Sequence, residues 1–561
     1  MSPEADEPSR SRSNAATARV MLRRHWLFAL LLTLGVLLRV MAQVAYQPAI
    51  LYFDSPFFIK SAYVLDPAGR DPLGYPLAAR LLLATFHDLA ALSMFNHLLG
   101  LGMAGLIYAV LLRRGVRPWM AALATLPVLL DGFQVLIEQM VMSDALLQFF
   151  VVLGIALLLW RRRPDPVTAS AAGLSFACAA LTRYVGESLV VVGLLFCVLA
   201  AGRPVARRAI TAAALAMAFA LPMAGYAAYN NQVHGTFALP SGAASRRLYA
   251  QVAVSVTCSQ LTLPAYERPL CPPPGAVRPP AGGSLVGSYA QGSTSPLVSY
   301  QPPPGETTNQ VLRDFVIRAV RQQPLAVAGS VGGTLLRPFL SWNRDRKPGE
   351  MATAQWFFQP NFPMFARLSP VLFQQWEGYR RPVANHELAR LLRGYQMNLG
   401  HTPGPLLLAC VILALAAGLG IGRARHSGQQ LACLLWLTAG LGLLFAAALY
   451  QFSWRYQLPA LVTIPPAAAL GLSALTSPRA AREPPATQEP DGPGDPASAA
   501  PDDRAASRDH APVESVEGMT AAPEPAKLNP VQHHAHADNP PGPDGQPGLP
   551  GAAHGRSSPP R

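Results

Sequence analysis

Between residues 25 and 475 the apolar positions gather into long runs, with no alternation of the kind a half-buried strand would show. The first runs from Trp26 to about Tyr46, and others lie near 91–112, 118–136, 143–160, 166–182, 186–202, 209–228, 404–422, 431–451 and 457–475. Each approaches the 18 or so residues an α-helix needs to cross a hydrocarbon core of roughly 30 Å, so about ten spans are expected. A soluble domain of this length would show shorter amphipathic helices or period-two strands. The first run is too long for a signal-peptide core and reads as a retained span. The pattern predicts an all-α polytopic membrane protein in three parts. Residues 1–24 form a polar leader, 25–475 the membrane domain, and 476–561 a tail rich in Pro, Ala, Gly, Asp and Ser that is expected to be disordered.

Two polar stretches, 47–90 and 229–402, interrupt the runs. Residues 77–90 are amphipathic and are expected to lie along the membrane surface. The mix of apolar and basic residues from Phe315 to Trp342 also suits an interfacial helix. Charge then sets the orientation. Arg23 and Arg24, Arg113, Arg114 and Arg117, Arg161, Arg162 and Arg163, Arg203, Arg207 and Arg208, Arg423 and Arg425, and Arg479 and Arg482 all fall on one side. The short connections of the other side hold only Arg183 and Arg455. The positive-inside rule puts both termini in the cytoplasm and both large loops outside the cell membrane.

The net charge of +14 raises the question of nucleic acid. The arginines sit at span ends and no nucleic-acid motif accompanies them, so that class is excluded. Of six cysteines, Cys178, Cys197, Cys410 and Cys433 lie in apolar runs, where cysteine acts as a small hydrophobe. Cys258 and Cys271 lie in the large outer loop. An oxidising compartment favours a disulfide between them over two free thiols.

Candidate chemistry clusters at the outer ends of the spans. The first loop reads Leu51-Tyr52-Phe53-Asp54-Ser55-Pro56-Phe57-Phe58-Ile59-Lys60. A carboxylate among aromatic rings at the membrane boundary suits a general base. The same Asp54, followed by Ser55 and Pro56, also reads as a helix start, and the two roles are compatible. Asp71 and Tyr75 follow in a Gly-Pro turn, and Asp66 and Asp71 read as loop residues. Asp144 opens a span, where a helix N-terminus favours an anion. Asp54 and Asp144 together are able to share a divalent cation such as Mg or Mn, or to divide base and positioning roles. Arg183-Tyr184 and Arg455-Tyr456 end spans on the same side. Arginine grips phosphate with paired hydrogen bonds, and the alternative for these two is a snorkelling anchor. Arg39, inside the first run, is costly in lipid unless it faces the protein interior or a watery cavity.

Taken together, Asp54 after the first span, Gly74-Tyr75-Pro76, Ser143-Asp144, Arg183-Tyr184 and Arg455-Tyr456-Gln457-Leu458-Pro459 resemble the GT-C fold glycosyltransferases. The nearest branch is the bacterial phospholipid-carrier-dependent one, related to protein O-mannosyltransferases and aminoarabinose transferases. The stretches Arg247-Leu248-Tyr249 to Cys258 and Arg268-Pro269-Leu270-Cys271-Pro272 are similar to an outer loop of actinobacterial members. The resemblance implies transfer of a sugar, with inversion, from a polyprenyl-phosphate carrier to an extracytoplasmic acceptor that is a glycan, lipid or protein. It carries the base to Asp54 and the second acid to Asp144. Arg183 and Arg455 become the phosphate-holding groups, with Tyr184, Tyr456, Arg39, Tyr75 and Lys60 as further substrate-site candidates. Many relatives have two adjacent acids in the first loop, whereas Ser55 and Pro56 follow Asp54 here, which weakens the case for a metal. The alternative class is a transporter or flippase, which would show internal repeats and mid-membrane charges. No repeat relates the two halves of this chain.

Overall fold

The computed structural model describes residues 7–69, 71–202, 204–239, 244–272, 295–341, 356–363, 382–450 and 453–476. The expected tail lies past Thr476, outside the described residues, as do Arg203, Arg479 and Arg482 of the charge pattern.

The chain is built of helices. The first apolar run sits in α1 (Glu7–Ala45), followed by the two-residue strand β1 (Tyr46–Gln47). Two shorter helices occupy the first loop, α2 (Ser55–Val64) and α3 (Gly74–Phe86). The amphipathic segment expected at 77–90 is therefore α3, which starts earlier, buries Tyr75, Ala79 and Leu83, and ends where His87 turns left-handed. Next come α4 (Ala90–Arg113), three short helices α5 (Pro118–Ala124), α6 (Leu126–Leu130) and α7 (Gly132–Gln139), then α8 (Asp144–Leu159) and α9 (Pro166–Thr182). After these run α10 (Ser188–Ala200), α11 (Val205–His234), α12 (Ala244–Ser255), α13 (Thr308–Gln322) and α14 (Pro324–Leu340). The interfacial helix expected over 315–342 is two helices, because Pro324 lacks the N–H to continue α13. The strand β2 (Val383–Ala384) pairs antiparallel with β1, and α15 (His386–Asn398), α16 (Gly404–Gly418), α17 (Gln430–Ala448) and α18 (Leu458–Thr476) complete the described part.

Among the described residues, five helices are long and apolar enough to cross a membrane: Arg23–Ala45 of α1, α4, α11, α17, and α18 with its preceding turn from Trp454. Shorter apolar helices at α8, α9, α10 and α16 accompany them. This is a multi-pass membrane architecture. The expected span at 118–136 is not one helix. Pro127 disrupts the turn before it, and Asp131-Gly132 ends α6 and starts α7. The interruption leaves carbonyl groups at the end of α6 that need donors.

The centre of the bundle is α18: 83% of its membrane window is buried, against 17% for α11 and 22% for α1. The apolar outer faces of α1 and α11 therefore suit lipid. Glycines set how closely helices approach. A Cβ on Gly173 of α9 would stand 2.3 Å from the Leu215 carbonyl oxygen of α11, and one on Gly471 of α18 would stand 2.8 Å from the Leu413 oxygen of α16. Small residues let backbones meet in this way, and membrane helices associate through such contact.

A second, smaller core lies among α12, α13 and their connections, with Tyr249, Val252, Leu312 and Phe315 buried together. The Tyr249 and Phe315 rings meet edge to face at 5.4 Å. The Tyr249 hydroxyl donates to the Leu270 carbonyl. Cys258 and Cys271 are joined in a disulfide beside this cluster, with Cα atoms 5.9 Å apart.

Gly173→Val is expected to force α9 from α11 and to cost about 1–3 kcal/mol or more, read as a lower thermal unfolding midpoint in detergent. Gly105→Val, with nothing within 4 Å of its Cβ position, is expected to leave that midpoint unchanged.

Candidate active site

Two loops bring the acids together. Ile50 N donates to Gln139 O at 3.1 Å, and Val141 N donates to Ile50 O at 3.1 Å. Ser55, fully buried, ties the same loops a second time. Its Oγ accepts from Tyr52 N at 2.8 Å and donates to Val141 O at 2.9 Å. Asn96 of α4 donates to Met140 O at 3.0 Å. The backbone before Asp54 is thus laced to the backbone before Asp144.

Asp54 stands at the start of α2 with proline in the first turn, yet its side chain makes no capping hydrogen bond. By contrast, Asp165 caps α9 through a full capping box, and Asp131 caps α7 through Phe133 N. The Asp54 carboxylate points to Arg455, whose Nη1 lies 2.6 Å from Oδ2. Both side chains are buried. Arg455 is presented by the 3-10 turn Trp454–Gln457 that leads into α18. A second pair lies alongside: Arg183 Nη1, just past α9, is 3.0 Å from Asp144 Oδ2 and 3.4 Å from Ser143 Oγ. The Tyr456 ring joins the two, with the Arg455 guanidinium 5.1 Å and the Arg183 guanidinium 5.5 Å from its centroid. Arg455 also lies 5.7 Å from the Tyr52 ring. Burial pushes the Tyr52 hydroxyl above its usual range, with Arg455 acting the other way, so the ring meets the guanidinium as a neutral π face.

Asp144, Arg183, Tyr184, Arg455 and Tyr456 stand on the wall of one cavity, and Asp54 lies behind Arg455, off that wall. It encloses about 80 Å³, room for roughly six waters at the ~10–15 Å³ each needs, which is the scale of one sugar ring. Four polar wall residues lie outside the main sequence candidates: Asp71, Gln148, Arg247 and Tyr450. Gln148 was open to sequence reasoning, since it lies one helical turn beyond Asp144 in α8 and shares its face. Arg247 belongs to α12, and no periodic or positional signal ties α12 to the membrane helices.

Other candidates sit elsewhere. Lys60 is exposed on α2. Tyr75 is buried in α3, edge to face with Phe58 at 5.2 Å. Neither is on the wall of this cavity. Arg39 closes the interrupted helix instead. Its guanidinium donates to the Leu129 and Val128 carbonyls of α6 at 3.0 Å each, and to Glu138 Oε1 at 2.9 Å. A buried charge in a span has thereby found an anion and the unsatisfied carbonyls of a helix end. Among the described residues no three His, Cys, Asp or Glu side chains come together as metal ligands. Asp54 and Asp144 each face a guanidinium.

Fold and site together define a multi-pass membrane protein whose helix ends bring Asp144 and two guanidinium groups to one cavity, with Asp54 paired behind Arg455. Residues 82–237, which include Asp144 and Arg183, match the family model described as dolichyl-phosphate-mannose-protein mannosyltransferase. This agrees with the resemblance read from the sequence. No protein of curated description matches the chain by sequence. Among solved structures, it is similar to the oligosaccharyltransferase of Archaeoglobus fulgidus tethered with an acceptor peptide, at 12% identity and a TM-score of 0.35. That likeness covers 80% of this chain and 50% of the other, so the chain spans half the length of that enzyme. It is similar also to ArnT from Cupriavidus metallidurans in the apo state, at 14% identity over 82% of this chain and 78% of that one, with a TM-score of 0.30. Both TM-scores lie below 0.5, so neither likeness bears on function.

Ser55→Ala removes a buried hydroxyl and its hydrogen bonds to Tyr52 N and the Val141 carbonyl. It is expected to cost about 1–3 kcal/mol, measured as a shift in unfolding midpoint. An unchanged midpoint would show that Ser55 does not tie the two loops.

Proposed function

We propose that the chain is an integral membrane glycosyltransferase moving a sugar from a polyprenyl-phosphate carrier to an acceptor hydroxyl on the extracytoplasmic side. The acceptor is a glycan, lipid or protein. The observation that carries this reading is a cavity wall holding Asp144, Arg183 and Arg455, with Asp54 paired to Arg455 directly behind it. Transfer from a sugar phosphate needs a proton acceptor and a cationic grip on the leaving phosphate within reach of each other. The family match over 82–237 supports the same class and counts against the transporter or flippase alternative.

In this reading the ion pairs are resting partners. The carrier phosphate takes over the guanidinium groups of Arg455 and Arg183, with Arg247 on the same wall. Asp54, losing its partner, accepts the proton of the acceptor hydroxyl as that oxygen attacks the anomeric carbon. The bond from that carbon to the phosphate oxygen breaks, and its electron pair leaves with the phosphate. The arginines stabilise the charge that develops there. Attack from the face opposite the phosphate inverts the carbon. Asp144 orients Arg183 and the acceptor. Because guanidinium groups supply the positive charge, no step needs a divalent cation, and turnover is expected to be unchanged in excess EDTA.

Asp54→Asn is expected to lower transfer about 100-fold or more in purified full-length protein supplied with a polyprenyl-phosphate sugar and its acceptor. Near-normal turnover would remove Asp54 as the base. With both termini in the cytoplasm, Lys60→Cys is expected to react with an impermeant maleimide in intact cells, and Arg161→Cys only after permeabilisation. The reverse labelling would invert the orientation.

A further inference from the structure

A line of buried polar side chains runs from the interior of the bundle to the cavity wall. It begins at Arg39 and Glu138, whose Nε and Oε2 lie 2.8 Å apart. His97 Nδ1 stands 3.0 Å from the same Oε2. Gln134 donates from Nε2 to Glu138 Oε1 at 3.0 Å and to Gln148 Oε1 at 2.9 Å. Gln148 Nε2 returns a hydrogen bond to Gln134 Oε1 at 3.1 Å. Glu138, Gln134 and Gln148 are all fully buried, and Gln148 is the member on the cavity wall, beside Asp144 and Leu147.

The polarity of this line is fixed by its first members. A guanidinium only donates and an ionised carboxylate only accepts. Gln134 must therefore turn its NH2 toward Glu138, which leaves its oxygen as acceptor for Gln148. The Gln148 amide is set in one orientation, with nitrogen to the Gln134 oxygen. An amide carries two N–H bonds and two carbonyl lone pairs. The reciprocal pair uses one of each, so Gln148 keeps one donor and one acceptor. Fully buried amides are costly where apolar residues would pack as well. Gln148 sits at the cavity wall with no exposure of its own, so its amide meets a hydroxyl only once a ligand moves the wall aside.

We propose that Gln148 is the specificity-determining residue of the cavity, hydrogen-bonding a hydroxyl of the carrier-linked sugar, with Gln134, Glu138 and Arg39 as the positioning residues that fix its amide. This rests on the glycosyltransferase reading, which puts the carrier phosphate at Arg455 and Arg183 and so the sugar beside Gln148. A site built around one amide rejects an epimer whose hydroxyl points elsewhere, since the amide is then left unpaired.

The test is equilibrium binding to the full-length protein in nanodiscs. The ligands are bare polyprenyl phosphate and the same carrier bearing mannose, glucose, galactose or arabinose. Wild-type protein is expected to separate these sugars by at least about fivefold in Kd. Gln148→Met is expected to bring them together while leaving the Kd of the bare carrier unchanged. The single change strands Gln134, so Gln134→Met/Gln148→Met, which removes both amides, serves as the second variant and is expected to give the same loss of ranking. A ranking that survives in either folded variant, or wild-type protein that binds all four sugars equally, overturns the role of Gln148. Failure of wild-type protein to bind any carrier, bare or loaded, overturns the glycosyltransferase reading itself.

Discussion

Asp54 and Arg455 are 401 residues apart and meet at 2.6 Å with both side chains buried. Neither charge is tolerable there alone. Removing one partner of a buried pair leaves an uncompensated charge and costs about 3–5 kcal/mol. The entry to α2 and the entry to α18 must therefore reach the same point, and the helices between them are arranged around that requirement. Ser55 and the Ile50–Val141 hydrogen bonds hold the acid loops to each other. The Tyr456 ring, between two guanidinium groups, holds the cationic side.

A comparable constraint acts deeper in the bundle. The break between α6 and α7 exposes carbonyl groups where water is scarce, and Arg39 meets them while pairing with Glu138. The break has a use: Asp131 at the junction accepts from Phe133 N and from Thr402 N at 2.8 Å, tying α7 to the segment before α16. It also aims Gln134 and Glu138 inward, where a continuous span would follow its own register. Interrupted backbone at membrane depth survives only when buried in protein with its polar groups met, and here both conditions hold.

Much of this was readable in the chain because a bilayer forces long apolar runs and penalises stray charge. The apolar helices from α8 to α11 and from α16 to α18 follow hydropathy closely. The segment 118–136 misled because hydropathy averages over Pro127 and Asp131-Gly132 and takes no account of a partner 90 residues away at Arg39. Asp54, Asp144, Arg183 and Arg455 stood out as charges at span ends. Which acid pairs with which arginine depends on helix packing, and one sequence carries no direct record of it. The capping reading of Asp54 was sound as local chemistry, since proline follows and α2 does start there, but the pull of Arg455 outweighs the backbone N–H groups. Arg247 is legible only within a loop similar to that of relatives, because its arrival at the cavity depends on how a helix outside the spans folds back.

The account turns on exchange of partners: Arg455 leaves Asp54 for the carrier phosphate. Affinity for bare polyprenyl phosphate tests this most directly, because no acceptor and no turnover are involved. If the carboxylate competes with phosphate for the guanidinium, Asp54→Asn binds the carrier several-fold more tightly than the wild type does. Carrier affinity that is unchanged or weaker in that variant would mean that Arg455 is not shared between the two, and the exchange mechanism would fall.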